Sequence, residues 1–348
     1  MTEHQTLEQY LRDWAAQDET RQAVASTVNI IADSCSAIAE IIALGPLAGS
    51  LGAEHGSNSD GDVQKELDVR ANDILIDELK AAPVAYVASE ELDEPVSIVP
   101  DAPLYVAIDP LDGSSNIDTN SSVGTIFSVM PMRCGNETAA TDCFLQKGTR
   151  QLAAGYVIYG PQTALVLTLG EGTHIFTLNP DTGEFCLTVP NVRIPENTNE
   201  FAINSSNFRR WDGHIRAYID DCLKGADGPH DRNYNMRWIA SLVAECHRIM
   251  SRGGIFLYPG DRRPDYHSGR LRLTYECNPI AFLVEQAGGA ASTGYERILD
   301  QEPTDIHQRA PMIFGSLNEV ELVDHYYRES HPYQERSALF GNRGLFKV

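Results

Sequence analysis

Leu104-Tyr105-Val106-Ala107-Ile108 followed by Asp109-Pro110-Leu111-Asp112-Gly113-Ser114-Ser115-Asn116 decides the fold. Five apolar residues bounded by a turn signal read as a buried strand. Pro110 fixes φ and Gly113 permits a positive φ, so the chain bends where the strand ends. The bend sets two carboxylates, Asp109 and Asp112, at the C-terminal edge of a sheet, with the amides and hydroxyls of Gly113, Ser114 and Ser115 just beyond. Carboxylates bind hard cations, and a run of free amides at a turn binds phosphate. The stretch is suited to joining Mg²⁺ to a phosphoryl group.

Upstream, Val24, Val28, Ile31, Cys35, Ile38 and Ile42 form one apolar stripe, which predicts a helix over 21–44 ended by Gly45-Pro46. Residues 53–62 are rich in turn formers and read as a mobile loop, either a solvated connector or a lid. A second helix is expected near 64–80, with Asp68 in its first turn, where the helix dipole alone favours a carboxylate. The short strand Val84–Ala88 leads into Ser89-Glu90-Glu91, and Asp109 lies nineteen residues after Glu90. If the two strands run parallel, both sets of acids line one sheet edge, where open α/β folds bind ligands.

Downstream the chain turns strand-rich, with strands expected at 124–131, 155–159, 164–169 and 173–178. Polar Pro195–Glu200 is the expected junction between a first subdomain, 1–194, and a second, 195–348. The second half is expected to hold strands at 201–203 and 253–258, and a helix over 235–250 whose face includes Ile239, Leu242, Val243, Cys246 and Ile249. Arg262, Arg263, Arg270 and Arg272 fall within eleven residues of a chain with net charge −22, which points to an anion site. Asn278 and Pro279 are suited to N-cap and N1 of a helix running to Gly288-Gly289, so Glu276 would sit just ahead of a helix N-terminus. His307 reads as structural.

Composition narrows the function. At 348 residues and 42% apolar content the chain supports one large or two closely packed domains. Its negative charge makes nucleic acid and anionic membranes poor partners. Cys35, Cys134, Cys143, Cys186, Cys222, Cys246 and Cys277 have no zinc spacing and read as reduced thiols of a cytoplasmic protein. Met1–Trp14 lacks the order of a signal peptide, and no apolar run is expected to approach the about 20 residues of a membrane span. Walker A, G-x-G-x-x-G, H-E-x-x-H and G-x-S-x-G are all absent. Ile108 and Pro110 stand where an EF-hand needs oxygen ligands. A carboxylate cluster beside a phosphate cradle remains, which suits metal-assisted hydrolysis of a phosphate ester.

The sequence resembles class I fructose-1,6-bisphosphatases, within the Mg²⁺-dependent, lithium-sensitive sugar and inositol phosphatases. The matching pieces include Lys65–Val69, Ser89–Glu91, Asp109–Asp118, Val123–Phe127, Ala153–Tyr156, Gly254–Pro259, Leu271–Pro279, Ala287–Gly289 and Pro303–Pro311, in family order. The resemblance implies an α/β fold, a layered α/β/α/β/α sandwich of two packed subdomains. It further implies a homotetramer, removal of the 1-phosphate from fructose 1,6-bisphosphate, and a place in gluconeogenic or Calvin-type sugar metabolism. By that resemblance Glu90, Asp109, the Leu111 carbonyl, Asp112 and Glu276 hold two to three Mg²⁺, with Mn²⁺ or Zn²⁺ as substitutes. Asp68 and Glu91 act as bases on water, and Gly113, Ser114 and Ser115 receive the 1-phosphate. Asn204, Tyr258 and a neighbouring subunit's copy of Arg237 hold the 6-phosphate, and Arg270 and Arg272 complete the contacts.

Three departures stand out. Arg270 replaces a lysine, and Trp238 and Asn207 stand where tyrosines are expected. The residues 17–22 and Pro103-Leu104 lack the animal AMP-site pattern, so animal-type AMP inhibition is expected to be weak or absent. Asp118-Thr119-Asn120 and Tyr159-Gly160-Pro161 resemble the sedoheptulose-1,7-bisphosphatase branch, which keeps that substrate, or dual specificity, open as an alternative. A non-catalytic metal- or sugar-phosphate-binding regulator is the remote alternative, yet every expected acid is present.

Overall fold

The computed structural model describes residues 4–57, 63–132 and 139–329. Helices α1 (Leu7–Ala15), α2 (Glu19–Leu44) and α3 (Glu66–Leu79) form the first layer. α1 was not foreseen from the sequence. A Thr6/Gln9 capping box starts it, and Leu7, Leu11 and Ala15 are its buried face. β1 (Glu54–Ser57) and β2 (Val63–Lys65) pair as an antiparallel hairpin, which corrects the reading of 53–62 as plain loop. Its tip, 58–62, lies outside the described residues, as does Cys134, and the six described cysteines are free thiols.

The second layer is an eight-stranded sheet built from β3 (Val84–Ser89), β4 (Val96–Ser97), β5 (Leu104–Asp112), β6 (Val123–Pro131), β7 (Ala153–Tyr159), β8 (Thr163–Thr168), β9 (Thr173–Leu178) and β10 (Phe185–Val189). Its order is β10-β9-β8-β7-β6-β5-β3-β4. β3 and β5 run parallel, with Ser89 beside Ile108, so the two acidic strand ends emerge side by side. Alternation sorts the faces: Val123, Phe127 and Val157 meet α2 and α3, whereas Ile126, Tyr156 and Ile158 face the next layer.

A short helix α4 (Ala140–Phe144) follows β6. Past β10 come α5 (Gly213–Leu223), α6 (Leu242–Arg252), α7 (Asn278–Gln286) and α8 (Leu317–Arg328). Interleaved with them are β11 (Glu200–Ile203), β12 (Asn235–Met236), β13 (Ile255–Tyr258), β14 (Leu271–Arg272), β15 (Ala290–Ser292), β16 (Arg309–Ala310) and β17 (Met312–Gly315). The second sheet has the order β12-β11-β13-β17-β15, with β14 and β16 pairing apart from it. α6 and α7 fill the layer between the sheets, and α5 and α8 cover the far face. The result is the α/β/α/β/α sandwich expected.

Two helix boundaries differ from the sequence reading. α6 begins at Leu242, not near 235, because Ala240 has a positive φ of 61° and Ser241 caps the helix. Ile239 therefore lies outside the helix and is exposed. Asn278 is not an N-cap either: Leu273–Cys277 already form a π-helical turn that runs into α7. The stretch Glu19–Ala48 is long and apolar enough to pass for a membrane span by composition, contrary to expectation. In the fold, Val24, Val28, Ile31, Cys35 and Ile38 of α2 are buried in the first core.

The close approach of β6 to α6 depends on Gly124, which pairs with Asp112. A Cβ there would meet the Val157 carbonyl oxygen and lie 2.6 Å from Val243 Cγ2. Gly124→Ala is expected to cost about 1–3 kcal/mol of stability, read by denaturant unfolding; an unchanged midpoint would contradict this packing.

Candidate active site

The site forms where the parallel strands β3 and β5 end. Glu90 follows β3, its amide donating to the Ile108 carbonyl at 3.0 Å. On β5, Pro110 and Leu111 oppose the single residue Thr125 of β6, a bulge between the pairs Asp109–Ile126 and Asp112–Gly124. The bulge folds the Leu111 amide back onto Asp109 Oδ1 at 3.0 Å. Glu276 arrives from the π-helical turn, its Oε2 accepting the Arg272 amide at 2.5 Å. Such turns re-aim side chains within helices, frequently at functional sites.

Glu90, Asp109 and Glu276 each bring a ligand oxygen within 4.8 Å of the other two. Burial holds Asp109 well above the usual carboxylate range, and Glu90, Glu276 and Asp112 raise it further. Burial also raises Glu276, reinforced by Glu90 and opposed by the Arg272 amide and guanidinium. Arg272 is itself 2% exposed and approaches Glu90 at 3.8 Å. It therefore belongs to the acid cluster, and of the four arginines expected at one anion site it is set apart. An oxygen-only donor set crowded by like charge fits a hard divalent cation.

Asp112 turns toward α6. Its carboxylate accepts the Ser241 hydroxyl at 3.0 Å and the amides of Val243 and Leu242 at 2.9 and 3.3 Å. Burial raises its pKa, and these donors pull it back down. Asn116 Nδ2 donates to the Ala240 carbonyl at 3.1 Å, a second tie between this motif and the start of α6. Nothing in the sequence marks Ser241, because the apolar spacing predicts a helix that begins several residues earlier.

Asp68 is 1% exposed and accepts the Lys65 amide at 2.6 Å, while its Oδ1 is buried without a hydrogen-bond partner. Burial lifts its pKa to about 7; the Lys65 amide opposes the rise and Glu91 adds to it. Gln64, on the unforeseen hairpin, donates to Glu91 Oε2 at 2.6 Å. Gly113 has φ 78° and turns the chain from Asp112 into the 3₁₀ turn Ser114–Thr119, which begins with Ser114 and Ser115.

Asn204, Asn207, Tyr258 and Arg270 line a separate small pocket. Arg270 lies 3.4 Å from the Tyr258 hydroxyl and 3.9 Å over the Tyr266 ring. Arg263, ion-paired with Asp261, donates to Asn207 Oδ1 at 3.2 Å and so brings a cation to the position where a tyrosine was expected. Trp238 stacks on Phe256, its ring 5.9 Å away. Arg237 does not line this pocket; half-exposed, it pairs with Glu200 at 3.4 Å. His307 packs on Tyr275, with neither ring nitrogen hydrogen-bonded. A second cluster, Cys222, His230 and Glu319, is a satisfied polar core: Tyr218, Tyr234 and Arg232 occupy both Glu319 oxygens.

The fold and the acid-lined strand ends define a class: phosphate-ester hydrolases that work through divalent cations. Residues 5–190 match the family model for the N-terminal domain of fructose-1-6-bisphosphatase, and residues 194–328 match that for its C-terminal domain. A relative from Xanthobacter autotrophicus named fructose-1,6-bisphosphatase class 1 is 55% identical over 98% of this chain and 92% of its own. One from Rhizobium meliloti with the same class name is 53% identical over 99% of both. The crystal structure of Leishmania major fructose-1,6-bisphosphatase in holo form superposes with a TM-score of 0.87 at 36% identity, covering 94% of this chain and all of that one. The chain belongs to the class 1 fructose-1,6-bisphosphatase family.

The raised Asp68 pKa has a consequence for stability. Its folded value of about 7 exceeds the ordinary 3.8, so the metal-free folded state loses stability as pH rises between these values. Asp68→Asn escapes that loss. Without metal, its stability advantage over the parent is expected to grow from pH 5 to pH 7.5 and level off above, reaching on the order of 2 kcal/mol. Urea unfolding in chelator reads the difference, and an advantage independent of pH would contradict a raised Asp68.

Proposed function

We propose that the chain hydrolyses the 1-phosphate of fructose 1,6-bisphosphate, giving fructose 6-phosphate and phosphate. The observation that carries this reading is the convergence of Glu90, Asp109 and Glu276 at one sheet edge in a chain matched along nearly its whole length by fructose-1,6-bisphosphatases. Glu90, Asp109, the Leu111 carbonyl, Asp112 and Glu276 would hold two or three Mg²⁺ per subunit. Bound divalent cations supply charge neutralisation at the ester oxygens and make water easier to deprotonate.

The protein groups do the rest. Asp68, with a pKa near neutrality, accepts a proton from the attacking water. Glu91, fixed by Gln64, orients that water on the same side. Gly113, Ser114 and Ser115 hold the 1-phosphate through donors at a positive-φ turn. Asn204, Tyr258 and Arg270 bind the 6-phosphate in their shared pocket. Arg272 balances the charge of the acid cluster. The position of Arg237 outside its own pocket favours a homotetramer in which it serves a neighbouring subunit. We place the enzyme in the cytoplasm, in sugar-phosphate metabolism of the gluconeogenic or Calvin type, with subdomains 1–194 and 195–348.

Phosphate release from fructose 1,6-bisphosphate, sedoheptulose 1,7-bisphosphate and fructose 6-phosphate, with Mg²⁺ or chelator, tests the reading. The largest kcat/KM is expected for fructose 1,6-bisphosphate, with no release in chelator and little inhibition by AMP. A preference for the seven-carbon sugar would move the assignment to the sedoheptulose enzyme, and no release from either would overturn it. Asp112→Asn is expected to abolish Mg²⁺-dependent release while leaving the fold intact.

Arg237→Ala is expected to raise KM for the bisphosphate about tenfold or more with little change in kcat, since it removes a hydrogen bond to a charged group far from the reacting phosphate. Mixed tetramers combining Arg237→Ala with Asp112→Asn should recover normal-KM sites only if the arginine crosses the interface.

A further inference from the structure

The β5 bulge is anchored from its far side by groups that the reaction itself does not use. Thr125, fully buried and directly opposite the bulge, donates its hydroxyl to the Pro110 carbonyl at 2.9 Å. Its Oγ1 also lies 2.9 Å from the Tyr159 hydroxyl. Thr125 has one hydroxyl proton, and the carbonyl takes it, so Tyr159 must be the donor to Thr125. Tyr159 is itself buried among the side chains of the first core, so its hydroxyl is held in place on that side of the sheet. Each hydroxyl in the series donates once: Tyr159 to Thr125, and Thr125 to the Pro110 carbonyl.

The series ends one peptide from the acid cluster. The Leu111 amide, next after Pro110, donates to Asp109 Oδ1. The Thr125 bond therefore fixes the bulge that aims the Asp109 carboxylate at Glu90 and Glu276. We propose that Thr125 and Tyr159 are positioning residues that set the cation affinity of the acid cluster by holding the Pro110–Leu111 bulge from the α2 side of the sheet. This rests on the reading that Asp109 holds a divalent cation. Loss of an outer hydrogen bond that orients a metal ligand commonly weakens binding about 10–100-fold.

The experiment is calorimetric titration of Mn²⁺ into the chelator-washed full chain, for the parent, Thr125→Val, Thr125→Ser, Tyr159→Phe and Glu276→Gln. Thr125→Val keeps the branched shape and removes the hydroxyl; it is expected to weaken Mn²⁺ about tenfold or more. The half-saturating Mg²⁺ for phosphate release should rise in parallel, while KM for the sugar bisphosphate at saturating Mg²⁺ stays within about twofold. Thr125→Ser should restore binding to within about threefold of the parent, a rescue that a purely space-filling role would not give. Tyr159→Phe should weaken Mn²⁺ less than Thr125→Val, and it decides the matter if Thr125→Val does not fold. Parent-like Mn²⁺ affinity in folded Thr125→Val, or in Tyr159→Phe when Thr125→Val is unfolded, overturns the proposal provided Glu276→Gln loses affinity. If Glu276→Gln also binds as the parent does, the metal-site reading fails and this proposal falls with it.

Discussion

Repulsion among buried carboxylates is the constraint on which the structure depends. Asp109 and Glu276 are taken out of water and placed within 4.8 Å of each other and of Glu90. Neither ionises at its ordinary pKa there, because burial and neighbouring charge both oppose it. Such an arrangement is costly unless protons or cations compensate it, and a divalent cation does so most fully. Arg272 offsets part of the charge from within, buried at 2% exposure beside Glu90. Two rigid irregularities maintain the geometry: a bulge on β5 and a π-helical turn ahead of α7.

The layers join the two halves of the chain at this point. Asp112 belongs to the first sheet, yet its carboxylate caps α6 of the middle layer. Asn116 reaches the Ala240 carbonyl just before that helix. The same short segment carries Arg237 and Trp238, so the acid cluster and the proposed distal-phosphate residues share one structural junction. A close approach of β6 to α6, permitted by Gly124, keeps that junction tight.

Much of this is legible in the sequence, for definite reasons. Glu90 and Asp109 could be placed together because each follows an apolar run, and parallel strands bring such ends side by side. The stripe from Val24 to Ile38 gave α2, and its burial against the first sheet follows. Glu276 was placed near a helix start, but the π-helical turn adds a residue that a 3.6-residue period does not reveal. Apolar spacing includes Ile239 in α6 because it carries no trace of the positive φ at Ala240. Gln64 and Ser241 act by contacts across long sequence separations, so no local pattern marks them, whereas the arginine cluster marks Arg263 but not its contact with Asn207. The hairpin of β1 and β2 lacks apolar alternation, which is why turn formers alone read as loop.

Location of bound cations tests the central claim most directly. Crystals grown with Mn²⁺ and measured at the manganese absorption edge should show anomalous density bonded to carboxylate oxygens of Glu90, Asp109 and Glu276 together. Density at other acids only, or a cluster left empty at saturating Mn²⁺, would contradict the account.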